Sequence, residues 1–297
     1  MKNVLVTGAS GFIGNNVLEM FRINGDNVLG WDLFSSNLKC REINMLDIEE
    51  VKKGLKSFQP DLIIHCAGLA DVRKSVEEPL NDYDSNVTVT HNLFFALLAG
   101  KINNCRIIFL SSAAVYGNPE RLPITEDSVL NPLSPYALHK IMCEDICSYF
   151  KSHYSFDVKI VRIFSAYGNG LKKQLLWDMV NKAKQTGELN MFGTGNESRD
   201  YIHIDDLVFA IKLISESSSK KEFIYNIANG EEVTIRTIVN LFAKYSGIKN
   251  VSFNGVIRDG EPLNWCADIS KLKDLGYSKK VDIEDGIEKY VLWSRND

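Results

Sequence analysis

No segment constrains this chain more than Thr7-Gly-Ala-Ser-Gly-Phe-Ile-Gly14. It follows the apolar run Val4–Val6 and precedes a helical pattern, so it reads as a tight strand-to-helix turn. Glycines at such a turn let the backbone approach a pyrophosphate, whose charge is met by amide N–H groups at the helix N-terminus. The spacing is G-x-x-G-x-x-G rather than G-x-G-x-x-G, and it gains weight from the strand before it and the helix after it. Gly8, Ser10, Gly11, Phe12, Ile13 and Gly14 are the candidate cradle.

The alternation continues. Further strands are expected at Val28–Trp31, Leu62–His65, Ile107–Leu110 and Val158–Ile163, with amphipathic stretches such as Asn81–Ala99 and Pro135–Tyr149 between them. Strands separated by helices pair in parallel, because only a crossover returns the chain in the same direction. The expected fold is α/β, a Rossmann-like doubly wound parallel sheet with its ligand crevice at the carboxyl ends of the strands.

After about Gly168 the rhythm loosens. Turn-rich segments at 193–196, 229–230 and 259–262 separate a helix near Asp205–Ile214, a strand Phe223–Ile227 and a helix Ile235–Tyr245. Residues 1–168 are read as the nucleotide-binding domain that also carries the catalytic residues. Residues 169–297 are read as a smaller mixed α/β substrate lobe, with room for segments that return to the first domain. The serine-rich run 215–221 is expected to be an exposed helix end or loop.

Composition excludes several classes. With 297 residues, 45% of them hydrophobic, the chain can bury a sizeable core. Its 34 basic and 38 acidic side chains give a net charge of -4, which offers no electrostatic reason to expect nucleic acid or an anionic membrane as partner. No apolar run reaches the length of a bilayer span. The six cysteines show no C-x-x-C spacing and the N-terminus does not resemble a cleavable signal, so the expected compartment is cytoplasmic, with reduced thiols. Cys143 and Cys147 lie four apart, but the neighbourhood lacks further ligands; core packing is expected there, and no metal site.

Asp32 ends the second strand, eighteen residues past Gly14, near the offset at which an acid meets the adenosine ribose. A carboxylate accepts from ribose hydroxyls and repels a 2′-phosphate, and residues 33–37 hold no Arg or Lys, which favours NAD over NADP. Asp47, before Ile48, has two readings: a contact to the adenine amino group, or the cap of a helix.

Tyr136 and Lys140 are four apart in a helical segment, so both project from one face. A phenol titrates near ~10, and a neighbouring ammonium together with a cationic nicotinamide favours the phenolate. Such a Tyr serves as a base near neutrality. Ser112, at the end of the strand through Ser111, would hydrogen-bond the same substrate oxygen. By itself Tyr-x-x-x-Lys is common on solvated helices; the cradle, the acid and the Ser-Ser pair make chance a poor account.

Taken together, Thr7–Gly14, His65-Cys-Ala-Gly68, Ser111-Ser-Ala-Ala-Val-Tyr-Gly117, Pro135-Tyr-Ala-Leu-His-Lys140, Arg199-Asp-Tyr-Ile-His203 and Ala267-Asp-Ile-Ser-Lys271 resemble the extended short-chain dehydrogenase/reductases of the NAD-dependent epimerase/dehydratase group. Within it the chain is most similar to the UDP-galactose (UDP-glucose) 4-epimerase branch. The resemblance implies catalytic roles for Ser112, Tyr136 and Lys140. It implies cofactor contacts at Ser111, Cys66, Ala67, Gly68 and Phe164, and diphosphate contacts at Arg199 and Arg258. Guanidinium forks suit phosphate oxygens. Trp265 stands where the epimerases can carry an aromatic residue near the nucleotide, with core packing as the alternative.

Two departures matter. Sugar-nucleotide 4,6-dehydratases usually have Asp-Glu where this chain has Ala113 and Ala114, which disfavours dehydration. Ser165 stands where the epimerases usually have Asn, which leaves the sugar open. The expected activity is NAD-dependent 4-epimerisation of a nucleoside-diphosphate sugar; the alternatives are a 4-dehydrogenase or 4-keto reductase with the same residues, and a non-catalytic NAD sensor. A homodimer through 86–99 and the Tyr136 helix is expected by analogy; those apolar faces could equally be internal.

Overall fold

The computed structural model describes residues 1–34, 40–219, 222–256 and 263–296. The chain opens on β1 (Asn3–Thr7), the glycine turn and α1 (Phe12–Ile23), then β2 (Asn27–Asp32), β3 (Cys40–Glu42), α2 (Ile48–Phe58) and β4 (Leu62–His65). Two short helices, α3 (Val72–Glu77) and α4 (Pro79–Tyr83), lead through one π-helical turn (Asp84–Thr88) into α5 (Val89–Ala99). β5 (Arg106–Ser112), α6 (Pro135–Tyr154) and β6 (Asp157–Ile163) follow. Beyond them come β7 (Ser165–Tyr167), α7 (Gln174–Thr186), β8 (Leu189–Met191), β9 (Ser198–Arg199), β10 (Tyr201–His203) and α8 (Ile204–Glu216). The chain closes through β11 (Ile224–Ile227), β12 (Val233–Thr234), α9 (Ile235–Ser246), β13 (Val251–Phe253), α10 (Ser270–Lys273) and α11 (Ile283–Ser294).

Seven strands form one sheet in the order β11-β6-β5-β4-β1-β2-β3. β1 pairs in parallel with β2 on one side and β4 on the other, so strand order reverses there, and the carboxyl ends of β1 and β4 meet at Thr7 and His65. β4 is buried at every residue, and Val4–Val6 are fully buried in β1, as expected of a sheet covered on both faces.

Contacts divide the chain into two compact units. The first comprises Met1–Val115, Pro132–Arg162 and Ile211–Tyr225. Its core gathers Leu5, Trp31, Leu55, Phe94, Phe109 and Phe150, with Cys143 and Cys147 packed among them. The second comprises Tyr116–Asn131, Ile163–Ala210 and Asn226–Asp297. It is built from short strand pairs, β7 with β10, β8 with β13 and β9 with β12, and from α9 packed on α11.

Several elements differ from expectation. β3 is too short and too polar to show an apolar run, yet it pairs with β2. The helix expected over 81–99 is interrupted by the π-turn, and side chains meet carbonyls in and just before it: Asn86 Nδ2 donates to the Asp82 carbonyl of α4 (3.0 Å) and the Thr90 hydroxyl to the Asn86 carbonyl (2.7 Å). α6 continues to Tyr154, where Ser155 turns left-handed at φ 57°. Ser215 and Ser217, expected to be exposed, are buried, because their carbonyls accept the Arg106 guanidinium at 2.9 and 2.6 Å.

Gly54 of α2 lies against the indole of Trp31: a Cβ there would stand 2.5 Å from the ring. Trp31 is fully buried and has nowhere to yield. Gly54→Ala is therefore expected to cost about 1–3 kcal/mol through overpacking, read as a lower urea midpoint at unchanged slope; an unchanged midpoint would show that α2 shifts freely.

Candidate active site

The first turns of α6 fix the Tyr–Lys pair. Ser134 caps the helix by accepting the Ala137 N–H at 3.2 Å, and Pro135 takes the first helical position, where its missing N–H is harmless. The Tyr136 N–H donates to Ser75 Oγ at 3.1 Å. Lys140 Nζ donates to the Leu110 carbonyl at 3.1 Å and lies 5.8 Å from the Tyr136 ring centre and 5.1 Å from that of Phe109. Both side chains are buried. Leu110 is two residues before Ser112, whose Oγ accepts the Ala114 N–H at 3.1 Å, so helix and strand end are tied together around this trio.

Beneath it lies a charged group that sequence reasoning missed. Glu144, one turn beyond Lys140 on the same face, accepts the Ser111 hydroxyl at 2.5 Å. The Arg162 guanidinium of β6 donates to both its oxygens, Nε to Oε1 at 3.0 Å and Nη2 to Oε2 at 2.6 Å. All three are at most 5% exposed. Ser111, expected to line the cofactor, therefore commits its hydroxyl to Glu144. A glutamate eight residues after Tyr136 on an otherwise apolar helix face was the available signal.

Where β1 and β4 end, a second chain of hydrogen bonds runs through His65. Burial, helped by the Lys140 charge, lowers this imidazole to about 3, so it is neutral. The Thr90 hydroxyl hydrogen is used on Asn86, so His65 Nε2–H must donate to Thr90 Oγ1 (3.2 Å). Nδ1 is then the acceptor, the Thr7 hydroxyl donates to it (2.7 Å), and Thr7 Oγ1 accepts the Ala67 N–H (3.1 Å). Cys66, beside it, has its thiol pushed up to about 12 by burial and is no nucleophile.

The glycine turn fits a phosphate cradle. Gly8 adopts φ +65°, and a Cβ on it would come within 2.8 Å of the Cys66–Ala67 backbone. A Cβ on Gly14 would stand 2.1 Å from the Gly8 carbonyl. No side chain caps the N-terminus of α1 at Gly11, Phe12 and Ile13, which leaves that end to a ligand. Asp32 Oδ2 accepts the Ser10 N–H and Oδ1 the Leu33 N–H, both at 2.8 Å, and each oxygen retains a lone pair. Asp47 is the N-cap of α2, accepting from Glu49 and Glu50, and Ile48 begins that helix. Gly68 faces Asn86 and Lys140: a Cβ on it would meet Asn86 Oδ1 at 2.4 Å and Lys140 Nζ at 3.6 Å.

The remaining candidates sit in the second unit. Phe164 is buried with its ring 6.2 Å from Tyr116 and 5.8 Å from Trp265. Trp265 packs there with Nε1 donating to the Gly117 carbonyl at 3.0 Å, as core packing requires. The Arg199 guanidinium stands 5.5 Å over the Trp265 ring and donates to the Ser198 and Leu263 carbonyls. Ser165 is half-buried on β7. Arg258 lies outside the described residues.

A doubly wound sheet with a glycine-rich turn at its reversal point and a buried Tyr–Lys pair tied to the end of β5 defines a nucleotide-dependent α/β enzyme. Residues 4–228 match the NAD dependent epimerase/dehydratase family, and the chain belongs to it. It is 28% identical over 338 residues to the UDP-glucose 4-epimerase of Pisum sativum, with 99% of this chain and 96% of that one covered. The structure of the Thermotoga maritima UDP-glucose 4-epimerase with UDP-glucose superposes with a TM-score of 0.90 at 26% identity, covering 99% and 98% of the two chains. That of UDP-glucuronic acid 4-epimerase from Bacillus cereus, in complex with UDP-glucuronic acid and NAD, gives 0.87 at 26% identity, covering 99% of each.

The buried pair of Glu144 and Arg162 yields a stability prediction. Glu144→Ala removes the carboxylate that receives the guanidinium and the Ser111 hydroxyl and is expected to cost about 3–5 kcal/mol, while joint replacement of both residues by Met recovers most of that loss. Urea unfolding of the two variants decides; a single variant as stable as the parent would contradict it.

Proposed function

We propose that this chain is an NAD-dependent 4-epimerase of a nucleoside-diphosphate sugar, with UDP as the nucleotide, as in the relatives above. The observation that carries the reading is the Tyr136–Lys140 pair, pinned through the Leu110 carbonyl to the strand end that bears Ser112. Gly8, Gly11, Gly14 and the uncapped start of α1 would hold the NAD pyrophosphate, and Asp32 the adenosine ribose. The first unit is thus assigned to the cofactor and the second, through Arg199 and Ser165, to the sugar nucleotide.

NAD supplies the hydride acceptor and donor. The work of the protein is on the proton. Tyr136, with the Lys140 ammonium beside it, takes the proton of the sugar 4-hydroxyl as C4 is oxidised and returns it when C4 is reduced on its other face. Ser112 holds the same oxygen through both steps. Net redox change is zero. Ala113 and Ala114 offer no second acid and base for loss of water.

Val76, Leu80, Phe95, Leu138 and Tyr149 stand exposed on α3 to α6, helices that pack on one another, and we assign this apolar face to a homodimer. Among the described residues no two cysteines are joined in a disulfide, which suits a reducing compartment such as the cytoplasm.

Incubation with a panel of UDP-, GDP-, dTDP- and CDP-sugars, followed by NMR, is expected to show a 4-epimer formed catalytically from a UDP-sugar. Stoichiometric keto-sugar with bound NADH would instead mean that the enzyme stops halfway. Tyr136→Phe should lose about 10²–10⁴-fold in turnover, the usual share of a positioned acid–base, while still retaining NAD. Turnover near the parent level would remove Tyr136 from this role. Sedimentation velocity should return the mass of two chains; a single-chain mass at micromolar concentration refutes the dimer.

A further inference from the structure

Asp200 follows Arg199 directly and is fully buried. Its Oδ1 accepts the Asn229 N–H at 2.9 Å, and its Oδ2 accepts the Gly230 and Ala267 N–H groups at 3.0 Å each. Its own carbonyl accepts the Ser165 N–H, also at 3.0 Å. The segments joined in this way carry Ser165, Arg199 and Trp265. The seat of Arg199 is made from the same pieces, since its guanidinium rests on Trp265 and on the Ser198 and Leu263 carbonyls.

Every side-chain partner of Asp200 is a donor, so the ionised carboxyl satisfies them all with lone pairs to spare, whereas a proton would add an O–H that meets donors only. Burial nevertheless pushes this group up to about 6, against the pull of the amides. A carboxyl raised in the folded state is penalised for ionising, so above that pH the charge costs the fold stability rather than adding to it.

We infer that Asp200 is a positioning residue for substrate: its ionised carboxylate sets the relative placement of Ser165, Arg199 and the segment through Trp265 and Ala267, and affinity for the nucleoside diphosphate falls when it is protonated. This rests on the nucleotide-sugar reading above. Besides the amides it accepts, the titratable groups that feel Asp200 are Cys266 and Tyr277; Glu231 acts on both of these and Glu232 on Cys266, and Arg199 and Tyr201 flank it in sequence. The Tyr277 hydroxyl donates to Asn229 Oδ1 at 2.7 Å. Burial raises the Cys266 thiol to about 11 and both phenols higher still, so those three stay protonated near neutrality. Glu231 pairs with Lys279, and Glu232 accepts the Ser198 hydroxyl.

The test is calorimetric titration of the NAD-loaded protein with UDP-glucose, whose diphosphate diester carries no proton that titrates near neutrality. The unmutated protein should lose about tenfold in affinity between roughly pH 7.5 and 5, as a single proton binding near the raised value requires. Asp200→Asn should bind at least tenfold more weakly at the higher pH, with no further loss at the lower. Its KM should rise while kcat at saturation and NAD content hold. A flat profile in the unmutated protein, which needs no variant to fold, overturns the inference alone. So does Asp200→Asn with full affinity, whatever its melting temperature. Failure of the unmutated protein to bind any UDP-sugar removes the functional reading, and this inference with it.

Discussion

Glu144 is the carboxylate around which the first unit of this protein is assembled. It joins α6 to β6 through Arg162 and to the end of β5 through Ser111, while Lys140, one turn earlier, reaches the Leu110 carbonyl of the same strand. A helix that touched the sheet only through apolar side chains could slide with little penalty. Directional, charge-assisted bonds at two successive turns leave α6 one position. Tyr136 inherits that position. Its own contribution is a main-chain N–H to Ser75, which fixes the start of the helix and leaves the phenol to be placed by everything else.

The reversal of strand order between β1 and β4 supplies the second requirement, a place where backbone can approach a ligand. Crowding there is severe: Cys66 and Ala67 leave Gly8 no space for a methyl group, and the Gly8 carbonyl leaves none at Gly14. Asp32 serves this turn by receiving the Ser10 N–H, so the residue that would meet a ribose also shapes the loop beside it. The second unit repeats the device on a larger scale, with Asp200 gathering three main-chain N–H groups from two segments onto one buried carboxyl.

Much of the fold was legible because it is written in local periodicity. β1, β2, β4, β5 and β6 lie where apolar runs placed them, to within a residue or two, and the glycine turn announced its own conformation. The Tyr136–Lys140 pair was legible for the same reason, since four residues make one helical turn. What escaped was non-local. The π-turn depends on Asn86 and Thr90 capping carbonyls that periodicity does not see. β3 owes its existence to a neighbour, and Ser215 and Ser217 are buried by an arginine more than a hundred residues away. Glu144 and Asp200 were not singled out, because a sequence does not say which acid will be covered. Trp265 and Asp47 each carried two readings, and packing and capping are what the structure has them doing.

The chain of hydrogen bonds from Ala67 through Thr7, His65 and Thr90 to Asn86 has one direction only, because each member has a single hydrogen to give and the last must be given to a carbonyl. Reversing any link would require a donor at both ends of the next. In the drift of a lineage the side chains of Thr7, His65 and Thr90 therefore behave as one inherited character, whereas Ala67 and Asn86 take part only through their main chain. A hydroxyl can replace a hydroxyl without notice, but an isosteric apolar residue at Thr7 or Thr90 strands its neighbours on both sides, so the routes by which this site can be remodelled are correlated over a span that no single motif covers.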